Sequence, residues 1–150
     1  MTLCRPVSAA LRAAVVAICM ASAAHPVLAS GSLPPEPLTA GPFSTFAECL
    51  TYLETTRREQ AGLAMPQPVP TEKGGTRQIL VTTKGVVRGA DEQATYEAEI
   101  GYEFRAVDTE RQLIVTNYTW ERYSLACNVS TFSGSLERGY ALPGLEPIRH

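Results

Sequence analysis

The sequence predicts an α+β domain: one N-terminal helix packed on a four-stranded antiparallel meander, with one disulfide joining helix to sheet. Three observations carry that expectation. Apolar residues recur at helical spacing over residues 45–61, the period drops to two from residue 76 onward, and Cys49 and Cys127 share the apolar sides of the two kinds of element.

Residues 1–29 stand apart from this domain. Arg5 and Arg12 precede the small apolar run Ala13-Ala14-Val15-Val16-Ala17-Ile18, and Val27-Leu28-Ala29 places small residues before a cut. That order of charged, apolar and small-residue regions reads as a bacterial-type secretory signal peptide, removed after Ala29. A second small-residue site, Ala21-Ser22-Ala23, offers an alternative cut. The apolar run spans about 12 residues where a membrane crossing needs roughly 20. The expectation is therefore an exported chain, periplasmic or extracellular, with no stable membrane insertion after cleavage.

Removing the leader changes the composition. The whole chain has 13 basic and 15 acidic residues. Arg5 and Arg12 leave with the leader, so 11 basic and 15 acidic residues remain and the net charge becomes −4. An acidic domain with no cluster of Lys or Arg is a poor match for nucleic acid. Cys4 and Cys19 also leave, and two cysteines in an exported domain read as one disulfide, Cys49–Cys127. Closing a loop of about 79 residues contributes about 4 kcal/mol in the chain-entropy model.

The elements follow in order. Residues 30–42 hold Pro34, Pro35, Pro37 and Pro42 and read as a flexible lead-in to a single domain, 43–150. Thr45-Phe46-Ala47-Glu48 has capping-box spacing, and Phe46, Cys49, Leu50 and Leu53 form one helical stripe. Residues 63–75 carry Pro66, Pro68 and Pro70 and read as a surface connector. Strands are predicted at 77–88 with a bulge at Lys84-Gly85, at 96–106, at 112–123 and at 124–133. From Gly134 the prolines suggest an irregular tail. Connections this short favour antiparallel neighbours, and a sheet with one apolar face needs the helix as its cover.

The chemistry begins with what is missing. The only histidine after the leader is His150, the last residue, so Ser-His-Asp and Cys-His machinery lack a base. No zinc, phosphate-loop or EF-hand pattern appears. The expectation is no metal, no cofactor and no assigned catalytic residue. Glu97, Glu99 and Glu103 line one side of a predicted strand and form a candidate acidic face, which equally suits the wet side of a half-buried sheet. Tyr118, Trp120 and Arg122 form a candidate binding surface, since aromatics beside arginine are enriched at interaction hot spots. Parity leaves open whether Tyr118 and Trp120 point out or fill the core. The reading that results is a small exported, disulfide-stapled domain that acts by binding a protein or an envelope component, with self-association as a further expectation. The alternatives are a small-ligand carrier with a helix–sheet cavity lined by Tyr96, Tyr102 and Phe104, and a hydrolase working through the carboxylates.

Overall fold

The computed structural model describes residues 31–149 except Lys73. The leader, with both of its cysteines, lies outside the described residues, and so does His150. Chain order is β1 (Gly31–Ser32), β2 (Glu36–Leu38), α1 (Phe46–Gly62), β3 (Met65–Thr71), β4 (Gly75–Arg88), β5 (Gln93–Asp108), β6 (Leu113–Asn128) and β7 (Thr131–Pro147). All pairings are antiparallel, in the order β1-β7-β6-β5-β4-β3, and β2 also pairs with β7. No helix among the described residues is long and apolar enough to cross a membrane.

The one helix among the described residues and the disulfide match the sequence expectation; the four-stranded sheet does not. Seven strands form one sheet. Two of the extra strands come from the Pro-rich lead-in, where Gly31 lies opposite Tyr140 and Glu36 opposite Leu136. A third is β3, whose prolines suggested a loop. Proline suits extended backbone, and an edge strand must satisfy its backbone groups on one side only. The expected strands 112–123 and 124–133 also need redrawing. β6 runs unbroken to Asn128, because nothing at Tyr123-Ser124 favours a turn. The chain reverses instead at Val129-Ser130, with Val129 in the left-handed region (φ 54°). β7 then occupies the expected irregular tail, and Leu142-Pro143 fall where its register against β6 shifts.

The helix forms where its cap and stripe predict. The Glu48 backbone N–H donates to Thr45 Oγ1 at 3.2 Å, and the Ser44 N–H donates to Glu48 Oε2 at 2.7 Å. α1 packs across β4, β5 and β6 and reaches β7. Cys49 and Leu53 are fully buried against Ala94, Tyr96, Ala98, Leu125 and Cys127. Cys49 is bonded to Cys127 with Cα atoms 6.0 Å apart, inside the usual range. The Tyr96 hydroxyl donates to Gln60 Oε1 at 2.8 Å, so the one buried polar pair under the helix satisfies itself.

Candidate binding face

The disulfide fixes which side of the sheet is which. Cys127 must reach the helix, so Leu125 and Tyr123 share its side and Arg122, Trp120 and Tyr118 point away. On β5, Ala94, Tyr96 and Ala98 face the helix, which sends Glu97, Glu99 and Glu103 to the opposite side. The two groups singled out in the sequence thus meet on one face. Glu99 lies opposite Arg122, Gly101 opposite Trp120, and Glu103 opposite Tyr118. No described element covers this face.

The side chains form a chain of contacts across three strands. Arg122 Nε donates to Glu99 Oε2 at 2.7 Å, and its guanidinium carbon lies 4.3 Å from the centre of the Trp120 ring. The indole lies over Gly139 and the Tyr118 ring over Gly101; a methyl group at either glycine would collide with the ring. An aromatic laid over a cross-strand glycine covers backbone that would otherwise be bare. The Glu99 carboxylate holds the Arg122 guanidinium above its ordinary pKa. Burial raises the Tyr118 phenol, the charge of Glu99 adds to this, and Arg122 opposes it. Glu97 pairs with Lys84 at 3.4 Å and Arg105 with Glu146 at 3.1 Å. Glu103 and Glu137 have no ion-pair partner among the described residues. A shallow dish of about 350 Å³, bounded by Thr82, Lys84, Glu97, Glu99, Arg122 and Ser124, opens beside the Arg122 stack.

A second polar cluster, on the helix side, escaped the sequence reading. Glu121 accepts hydrogen bonds from Tyr123 (3.0 Å), Tyr102 (3.3 Å) and Arg138 Nε (3.0 Å). Arg138 also reaches Glu36 at 2.7 Å, and its carbonyl accepts from the Leu33 N–H at 2.8 Å. These bonds strap the lead-in onto β7. Burial, with Glu121 alongside, pushes Tyr123 up to about 12 and also raises Tyr102. The signal available in the sequence was Glu121 itself, a charge at a position whose parity matches Tyr123 and Leu125. Arg138 gave no signal, because it lay in the stretch read as irregular.

For chemistry, Glu97 and Glu99 are each engaged by a cation from a neighbouring strand, and Glu103 stands further along β5 beside Tyr118. Among the described residues no group of three or more His, Cys, Asp or Glu side chains could hold a metal ion. Of the residues suggested to line a ligand cavity, Tyr96 is buried under α1, whereas Tyr102 and Phe104 lie past it on the strand. No family model matches the chain, and no curated protein or solved structure matches it either.

Proposed function

We propose that this chain is an exported binding module and that the open sheet face is where a protein partner docks. The observation that supports it is the Glu99–Arg122–Trp120 contact chain on a face that no described element covers. Tryptophan and arginine are enriched at interaction hot spots, and an arginine already held in place loses less rotamer freedom on binding. Here both are held in place beforehand, the indole by Gly139 beneath it and the guanidinium by Glu99. Charge gives the partner a sign. The face carries Glu97, Glu99, Glu103, Glu137 and Glu146 against Lys84, Arg105 and Arg122, so it favours a partner that presents Lys or Arg.

Export rests on the leader and is supported by the disulfide, which persists in oxidising compartments. Intact mass of the chain recovered from outside the cytoplasm tests it: the reading expects a chain that starts at Ser30 and lacks two hydrogens. For binding, the immobilised chain is exposed to solubilised envelope proteins beside a Trp120→Ala/Arg122→Ala variant. The reading expects a protein retained by the first and lost by the second, with retention weakening as salt rises. Equal retention by both contradicts it.

A further inference from the structure

The strands outrun the helix. Seventeen helical residues rise ~25 Å, whereas the sixteen residues of β5 or β6 reach ~53 Å. Because α1 crosses the strands, it covers only the end of the sheet around Tyr96 and Cys127. Past it, the same face continues through Ile79, Tyr102, Phe104, Val115 and Tyr140 with no described element above them. Phe104 is 47% exposed, Tyr140 50% and Leu145 62%. Leu33 projects into the same region, in a groove with Tyr102, Arg138 and Tyr140.

We infer that this bare half of the helix-side face is covered by the same half of a second copy, turned end for end, giving a two-fold dimer of packed sheets. Three arguments select that occupant. The first is height. A helix lying on a sheet makes a step ~10 Å tall, which is the spacing at which a second sheet packs, so a partner sheet fills the step level with α1. End-for-end placement keeps the two helices at opposite ends.

The second argument is area. Four strands ~4.8 Å apart over half the strand length give ~500 Å² of sheet plane per copy. Two copies reach the ~1,000 Å² that a biological interface must clear, before side-chain relief is added. The third is charge. Arg138 bridges Glu36 and Glu121, and Asp108 at the far end of the patch is held by Arg111, so burial strands no unpaired acid. Arg77, on β4 at the margin of the patch, has no ion pair among the described residues. The opposite face, with five carboxylates against three cations, would repel its own copy. A dimer formed this way leaves Trp120 and Arg122 facing outward, so it stands or falls independently of the proposed partner site.

Light scattering on the chain from Ser30 onward, at about 100 µM, tests this, a concentration chosen because interfaces at the low end of buried area include weak, transient ones. The expected result is twice the chain mass, falling to one chain mass in Phe104→Asp and in Leu145→Asp, with Leu80→Asp on the other face still at twice. Both test residues are about half exposed or more, and a cooperative melt identifies a folded variant; if Phe104→Asp fails to fold, Leu145→Asp decides. A single chain mass for the unsubstituted protein overturns the inference. So does a dimer that Leu80→Asp breaks and the folded test variants leave intact.

Discussion

The two faces of this sheet use the same strands and are held by different forces. Under α1, apolar burial and a covalent bond act together: Cys49, Leu53 and Tyr96 are sealed from water, and the sulfur bridge fixes helix to β6. On the other face, ion pairs, a stacked guanidinium and rings laid over glycines act at partial exposure. The first kind of contact contributes several kcal/mol per residue. The second contributes about 1 kcal/mol or less. Stability therefore resides mainly on one side, and the other is where the proposed binding role would sit.

The comparison can be broken by substitution, and the largest effect belongs to the bridge. Replacing Cys49 and Cys127 together by alanine should lower the unfolding free energy by about 4 kcal/mol in the chain-entropy model, read from urea unfolding with a steeper slope, because the uncrosslinked unfolded chain exposes more surface. Leu53→Ala comes next, with a loss of about 3 kcal/mol from the cavity it leaves. A loss under about 1 kcal/mol there would mean that the helix is not the main seal.

Gly139→Leu probes the other face. Its side chain cannot coexist with the indole as placed, so Trp120 must lift away, at about 1–3 kcal/mol if the strands resist, and tryptophan emission should shift to the red. Alkaline pH probes the helix-side cluster around Glu121 by itself. Tyr123 ionises near 12 when folded and near 10 when unfolded. Its contribution is thus complete below pH 10 and is lost as pH rises through 12. Melting temperature should fall across that window, and Tyr123→Phe should flatten the fall. The smallest effect is expected for Glu99→Gln, below about 1 kcal/mol, because the pair is half exposed.

The sequence made the covered face legible and the open one only in pieces. The capping residues, the stripe from Phe46 to Leu53 and the alternation from Tyr96 to Ala106 each reflect local rules, and all three appear in the structure. What failed was non-local. A strand break assumed at Ser124 severed the parity that ties Cys127 to Trp120. Once β6 is continuous, the disulfide alone points Trp120 away from the helix. The true reversal at Val129 was hidden because a β-branched residue sits in the left-handed region that glycine or asparagine usually fills. The prolines of β3, an edge strand, and Pro143 and Pro147 of β7, which lie past its pairing with β1, read as breakers. Proline is tolerated where one side of the strand is open, and that pairing cannot be read locally.

The central claim, that the open face is a docking surface, is tested most directly in cells that export the chain. A photoreactive phenylalanine analogue replaces Tyr118 in one strain and Glu59, on the exposed side of α1, in another. The account predicts an adduct to another protein from position 118 that Trp120→Ala/Arg122→Ala abolishes, and none from position 59. Equal adducts from both positions, or none from 118, would contradict it.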